Sequence, residues 1–309
     1  MLVSSLRVRS AGDRFKCAGF ISTQAARGRW TELSRNLTTY CVRGGWEREV
    51  AAALGNALQA RQWDEFVAEG LAPNSVLSWL EPEALGGSWS KTIRGSFYVD
   101  LVQIRQAKTP YEDYLSANTR QQLRRSLKIY RRRGTICTEV AHDLCSAQAM
   151  FDELIELHQR TWKARGQPGA FASPRRVEFF RALIARAFPA GAIQMLRVAV
   201  GQVTIGVLLN FVQKGKVYFF QSGFNYSQEG HLKPGLVTHA CAIRHCLDQG
   251  SEEYDLLAGD AQYKRSLAKD QRPLAWMVFA RPNLKLAIIE RLRALKRVAK
   301  RRARNRAEG

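Results

Sequence analysis

Between residues 192 and 224 the chain runs through β-branched, aromatic and other apolar residues, broken only at Gly201-Gln202 and Lys214-Gly215. Such runs, bounded by two-residue turn signals, predict three strands, Ala192–Val200, Val203–Gln213 and Lys216–Phe224, joined as hairpins. On either side the apolar period lengthens to three or four. Leu115, Thr119, Leu123, Leu127 and Tyr130 recur at helical spacing after Thr109-Pro110-Tyr111-Glu112, a capping box with proline at the first helical position, and Gly134 stops the pattern. Met150, Phe151, Leu154, His158 and Trp162 mark one side of a helix over Ser146–Arg165. Val177, Phe180, Leu183 and Ile184 mark a second helix that opens at Ser173-Pro174, and a third opens at Pro234 and closes near Gly250.

Strands are also expected at Ile136–Ala141, Tyr254–Ala258 and Leu274–Ala280, with a loop or short helix at GDAQYK. The N-terminal signals are weaker. They comprise a strand at FKCAGFIS (16–23), a helix over Glu47–Arg61 after Gly44-Gly45, and strands at Trp63–Ala68 and Ser96–Val102. The order from residue 136 is β-α-α-β-β-β-α-β-(short helix or loop)-β, which reads as an α/β (α+β) fold with a mixed central sheet flanked by helices.

At 309 residues, with 46% hydrophobic and 24% charged positions, the composition is that of a folded globular chain with one large or two medium domains. No run approaches the ~20 apolar residues of a membrane span, and no signal-length apolar core opens the chain, so a cytoplasmic location is expected, with peripheral contact at the inner membrane surface as an alternative. The six cysteines, Cys17, Cys41, Cys137, Cys145, Cys241 and Cys246, form no C-x-x-C pair and are expected as reduced, mostly buried thiols. The charge is more informative. The net +21 is concentrated in two stretches: residues 118–133 hold seven Lys/Arg and no acid, and residues 281–309 hold eleven with two acids. Either the 118–133 helix or a C-terminal helix over 283–306 can meet an anionic membrane surface or tRNA; the apolar stripe of the latter, Leu284, Ile288, Leu292 and Leu295, fits docking on the sheet equally well. A solvated helix face explains the 118–133 charge equally well.

The segments LHQRTWKARGQPGAF, VYFFQSGF, LKPGL and EYDLLAGDAQYKR, in this order, resemble the CelD-type branch of the GNAT acyltransferase superfamily. That branch is associated with bacterial exopolysaccharide and cellulose gene clusters and is related in fold to FemAB-type transferases. The resemblance spans about residues 96–280 and includes the NTRQQLRRS helix, which in the family joins a first lobe to a second. It implies a GNAT-like fold divided into a partial N-terminal lobe (1–108), a basic linking helix (109–134), the acyltransferase domain (135–282) and a basic C-terminal helix and tail (283–309). It also implies an acyl-coenzyme A (acetyl-CoA) co-substrate and no metal.

Acyl transfer to an amine or hydroxyl needs a seat for the anionic donor, hydrogen bonds to the reacting carbonyl, a base and an acid. The loop SQEGHLKPG runs into a helix N-terminus, where free N–H groups and the dipole favour a pyrophosphate. Gly230, Gly235 and Lys233 are its expected donor contacts, against the plainer reading of a turn and a helix start. Gln221, Ser222 and Gly223 at a strand end suggest a bulge whose N–H groups leave the ladder, with Ser222 and Gly223 toward the donor and Gln221 toward the acceptor. A polar strand position is the alternative for Ser222. Beyond the strand end at Ala258, Asp260 is the candidate base and Tyr263 the candidate acid, with Lys264 beside them. Asp260 as a helix N-cap and Lys264 as surface charge are the alternatives.

His158, Trp162 and Arg165 share a helix face, and Phe171 follows in the loop above. The resemblance makes them acceptor contacts, whereas the residues alone fit a core histidine beside a core tryptophan. His239, one turn into the Pro234 helix, is expected to face the cleft. Cys241 and His245 share a face, but His239 and Cys246 do not join it, so no metal site is expected. The function expected is therefore an acyltransferase with a small-molecule or glycan-precursor acceptor. The alternatives are a FemAB-type aminoacyl-tRNA-dependent transferase and a non-catalytic scaffold of a polysaccharide synthesis complex.

Overall fold

The computed structural model describes residues 5–9, 47–60, 63, 65–71, 80, 87–227 and 229–281. The strand expected at 16–23, the glycines at 44–45 and the C-terminal helix over 283–306 lie outside the described residues. The chain divides into two compact units, Met1–Arg94 with Pro273–Gly309, and Gly95–Arg272. The expected boundaries at 108 and 134 are not those observed. The basic 118–133 segment is not a linker, because Leu123, Leu127 and Tyr130 are buried in the main core of the second unit.

In the first unit, strands β1 (Ser5–Arg9) and β2 (Glu65–Leu71) pair antiparallel, and β2 pairs antiparallel with β9 (Asp270–Ala280). Helix α1 (Glu47–Gln59) contributes Leu58 to a small core with Trp63, Phe66, Met277 and Phe279.

The second unit is a mixed sheet in the order β3 (Ser88–Asp100, which belongs to this unit from Gly95 on), β8 (Glu253–Ala258), β7 (Lys216–Phe224), β6 (Val203–Gln213), β5 (Ile193–Val200) and β4 (Ile136–Val140). Neighbours are antiparallel except β7 and β8, which run parallel. Gly201 (φ 57°), Lys214 (φ 48°) and Gly215 (φ 73°) take the left-handed conformations that tight hairpins require. On one face lie α5 (Leu144–Ala164) and α6 (Pro174–Ala187), which close a core around Phe151, Leu154, Phe180 and Ile184. Packed into the other core are α4 (Ala117–Arg133) and α7 (Pro234–Asp248).

Three local expectations are corrected. The strand expected at Ser96–Val102 stops at Asp100, because the Asp100 carboxylate accepts the Gln103 N–H (2.9 Å) and caps the short helix α2 (Leu101–Gln106). The helix expected to run unbroken from Thr109 is two pieces, α3 (Tyr111–Tyr114) and α4. Leu115 is buried in an extended conformation, and the Ser116 hydroxyl caps α4 by accepting the Thr119 N–H at 3.3 Å. The cysteines divide evenly: Cys241 and Cys246 are buried, Cys137 and Cys145 exposed, and Cys17 and Cys41 lie outside the described residues.

Candidate active site

The functional geometry begins where two neighbouring strands stop pairing. β7 and β8 are in register only over Lys216–Tyr218 and Glu253–Asp255. Beyond that both strands are displaced by bulges. β7 carries an extra residue, Phe220, against β6, and β8 carries an extra residue against β3 between the pairs Ser96–Ala258 and Tyr98–Asp255. Leu257, within the β8 bulge, has φ 61°, a left-handed conformation that is costly for a leucine.

Asp255 and Lys264 hold that bulge in place. Asp255 is fully buried. Its Oδ1 accepts the Leu257 N–H at 2.6 Å and the Ser96 hydroxyl at 3.0 Å, and its Oδ2 accepts from Arg272 at 3.1 Å. Burial raises the Asp255 pKa in spite of the Arg272 guanidinium. On the far side the Lys264 ammonium donates to the Leu257 carbonyl (3.0 Å) and the Ala258 carbonyl (2.7 Å). Burial lowers its pKa to about 8.

The parted strands open a cleft of about 1060 Å3 whose lining comes entirely from the second unit. One end is the N-terminus of α7. Pro234 has no N–H, and the first intrahelical bond is Val237 N–H to the Lys233 carbonyl. The N–H groups of Gly235 and Leu236 therefore have no partner among the described residues, which leaves the positive end of the helix dipole open to the cleft. The preceding loop is pinned from both sides. Glu229 accepts two hydrogen bonds from Arg133 (2.5 and 2.7 Å), and Lys233 N–H donates to the Ser126 hydroxyl (3.1 Å).

The opposite wall is built by α5 and the loop after it. His158 is buried with both ring nitrogens engaged: Nδ1 donates to the Ser222 carbonyl (3.0 Å), and Nε2 accepts the Ala170 N–H (3.1 Å). This fixes the neutral tautomer, and burial holds the pKa below the usual histidine value. Gln159 pins the same loop, donating to the Pro168 carbonyl and accepting the Phe171 N–H. At the rim the Arg165 guanidinium lies between the rings of Trp162 (5.7 Å) and Tyr226 (5.8 Å), both exposed.

The floor contains His239 and Tyr263. Helix α8 (Gln262–Leu267) carries Tyr263, 42% exposed, whose ring stacks on His239 at 5.9 Å and meets Phe219 edge-on at 6.4 Å. Burial raises the Tyr263 pKa to about 12, so the phenol keeps its proton at neutral pH. His239 is 2% exposed, with Nδ1 3.3 Å from the Tyr254 hydroxyl and no partner for Nε2 among the described residues. A buried polar atom in this state costs about 1–3 kcal/mol.

The cleft brings together ten of the expected residues: Gln221, Ser222, Gly230, Lys233, Gly235, His158, Trp162, Arg165, His239 and Tyr263. Four others lie elsewhere. Asp260 does not line the cleft; it is exposed and paired with Arg265, its Oδ1 accepting at 2.7 Å. Nor does it cap α8, whose N-cap is Ala261. Lys264 is a buried clasp on the strand end rather than surface charge, and it does not line the cleft. Gly223 faces α5: a Cβ there would lie 2.5 Å from the Leu154 carbonyl oxygen. Phe171 is buried core, edge-on to Phe151 (5.5 Å) and His158 (5.2 Å).

Sequence reasoning missed Thr119 and Gln122 of α4, Thr161, and Phe219 and Phe224 of β7, all in the lining. It also missed the supporting pair Asp255 and Tyr254. A carboxylate inside an apolar strand run was the one available signal for Asp255. Among the described residues no group of three His, Cys, Asp or Glu is placed to hold a metal, and no helix is long and apolar enough to cross a membrane.

Residues 117–265 match the sequence profile of the acetyltransferase (GNAT) domain. No curated protein matches the sequence. The fold is similar to that of FemX, at 11% identity and TM-score 0.54 over 78% of this chain and 79% of that one. It is also similar to a conserved protein of unknown function from Bacteroides thetaiotaomicron, at 10% identity and TM-score 0.50 over 77% of each chain. The C-terminal domain of a lysylphosphatidylglycerol synthetase homologue from Agrobacterium fabrum aligns at 13% identity and TM-score 0.45 over 75% of this chain and 85% of that one. For FemX and the Bacteroides thetaiotaomicron protein the likeness, at these identities, is one of fold.

Proposed function

We propose that this chain, an acyltransferase built on a GNAT-type domain, moves an acyl group from acyl-coenzyme A to an amine or hydroxyl acceptor in the β7–β8 cleft. The observation that carries the reading is the parting of β7 and β8 into a cleft that ends at the open N-terminus of α7. A pyrophosphate suits the unpartnered N–H groups of Gly235 and Leu236, with Lys233 adding charge. A slender thioester arm fits between the strands and brings its carbonyl toward Tyr263. The acceptor attacks that carbonyl carbon, the C–S bond breaks, and the thiolate leaves. Tyr263, protonated and in the lining, is the side chain suited to give its proton to the sulfur, and the proton that the acceptor loses restores the phenol. The exposed rim of Trp162 and Tyr226, with the Arg165 guanidinium between their rings, offers hydrogen-bond donors beside apolar edges, which suits a hydroxyl-rich or anionic acceptor such as a glycan precursor.

The test is a calorimetric titration with acetyl-coenzyme A and with free coenzyme A at two salt concentrations. Saturable binding of similar strength at both salts supports the reading. Absence of binding, or binding that disappears with salt, refutes it. A second reading rests on one observation: Arg124, Arg125, Lys128, Arg131 and Arg132 on α4 are exposed and unpaired among the described residues, on the helix whose Thr119 and Gln122 line the cleft. That face suits an aminoacyl-tRNA donor, whose binding would weaken steeply with added salt.

A further inference from the structure

His239 is the one histidine of the cleft with a nitrogen left over. His158 uses both of its nitrogens to tie β7 to the loop after α5. His239 uses only Nδ1, against the Tyr254 hydroxyl, and Nε2 is buried without a partner among the described residues. Two neutral tautomers are open to the ring. If Tyr254 donates its O–H to Nδ1, Nε2 carries the proton and one donor is left unmade. If Nδ1 carries the proton and donates to Tyr254, the phenol hydrogen of a fully buried tyrosine has no acceptor, and the Nε2 lone pair is unmade as well. The first arrangement leaves fewer orphaned groups, so Nε2 presents an N–H.

The charged form is disfavoured as well. Burial, with the Lys264 ammonium nearby, lowers the His239 pKa to about 3. A ring so reluctant to take a proton is poorly suited to serve as a base at neutral pH, but it can act as a neutral hydrogen-bond donor. A second observation says where a donor is wanted. The Ser222 N–H, which the bulged end of β7 would offer to a reacting carbonyl, is already taken by the side chain of its neighbour, Gln221 Oε1, at 3.0 Å.

We infer that the His239 Nε2–H, set in this tautomer by Tyr254 and covered in this structure, is uncovered by a shift of the Tyr263 ring stacked on it as the acyl group enters, and then donates a hydrogen bond to the carbonyl oxygen of the transferred acyl group and to the oxyanion that oxygen becomes. The inference rests on the acyl-transfer reading and adds to it the residue that meets the developing charge. The acceptor nitrogen or oxygen forms its bond to the carbonyl carbon, and the carbonyl π pair moves onto oxygen facing Nε2–H. As that pair returns, the C–S bond breaks, and the thiolate takes the Tyr263 proton, which the acceptor's proton replaces. His239 remains neutral throughout and exchanges no proton. The ring stack with Tyr263 places this donor beside the group suited to protonate the sulfur.

The test combines nitrogen-15 NMR of histidine-labelled protein with infrared spectroscopy of bound acetyl-coenzyme A carrying a carbon-13 carbonyl. Wild-type protein should show the Nε2–H tautomer for His239 and a carbonyl stretch shifted below its free value. His239→Phe keeps an aromatic ring among Phe219, Phe224 and Tyr263. It should abolish that shift while leaving free coenzyme A affinity within twofold. His239→Gln, which puts an amide N–H near the Nε2 position, should keep part of the shift. An Nδ1–H tautomer, or a carbonyl shift unchanged in both variants, overturns this inference alone. Wild-type protein that binds neither coenzyme A nor acetyl-coenzyme A overturns the donor reading, and this inference with it.

Discussion

A methyl group added to Gly223 would lie 2.5 Å from the Leu154 carbonyl oxygen, 2.8 Å from Leu157 Cβ and 3.1 Å from the His158 nitrogen. Two of these atoms are backbone of α5 and the third is fixed to it, so no flexible side chain can move aside. Restoring an ordinary contact of 3.4 Å requires α5 to retreat from β7 by about 0.9 Å (3.4 less 2.5). Overpacking of this kind costs about 1–3 kcal/mol. The same retreat stretches the 3.0 Å bond from His158 Nδ1 to the Ser222 carbonyl out of range, which adds about 1 kcal/mol. For a unit the size of Gly95–Arg272, Gly223→Ala should lower the thermal midpoint by roughly 5–15 °C, read by circular dichroism with a urea titration at fixed m-value. Acetyl-coenzyme A affinity should fall with it, since Ser222 and the His158-held loop line the cleft. Gly230→Ala is the control, because a Cβ there meets nothing within 4 Å. A Gly223→Ala midpoint equal to that of the wild type would refute both the close approach and the argument that this glycine serves helix packing.

Asp260→Asn should leave acetyl transfer within about twofold of wild type, because the carboxylate is exposed and held by Arg265; a loss beyond tenfold in kcat/KM would restore it as a reacting group. Tyr263→Phe should lower kcat by about 10²-fold or more with little change in coenzyme A affinity, as expected for a group that serves the leaving thiolate; an unchanged kcat for coenzyme A release in the presence of acceptor would remove it. Burial lowers the Lys264 pKa in the folded protein to about 8, from the 10.5 of a free lysine, so between those pH values the unfolded chain binds the extra proton and stability rises with pH. The rise is worth about 2 kcal/mol between pH 7.5 and 9.5, and Lys264→Met should remove it from urea midpoints measured at both pH values.

The hairpins and helices were legible because their signals are local. Gly201-Gln202 and Lys214-Gly215 delimit β5, β6 and β7 within a residue of their observed ends, and Pro234 opens α7 where expected. Capping chemistry was legible in kind but not always in place. Thr109 begins a fair capping box, yet Ser116 makes the cap bond to α4, because burial of Leu115 forces an extended residue between two helical pieces. The helix N-terminus at one end of the cleft was also readable, since a helix start after a glycine-bearing loop is a feature of sequence order.

The stretch from Tyr254 to Lys264 shows where local reading stops. Its residues named a strand end with two acids, two tyrosines and an amine nearby, but not which of them face the cleft. Side chains on a strand alternate sides, so one inserted residue redirects everything after it. The β8 bulge arises from non-local pairing with β3, and it is held by Asp255 of β8, itself bonded to Ser96 and Arg272 from other strands. By itself the sequence determined the order of the elements, the hairpin turns and the helix start at Pro234. Only the tertiary structure sent Asp260 to solvent, turned Lys264 inward as a clasp and left His239 with an unmade hydrogen bond. Those outcomes depend on which backbones pair across more than a hundred residues, and no local period or cap encodes that choice.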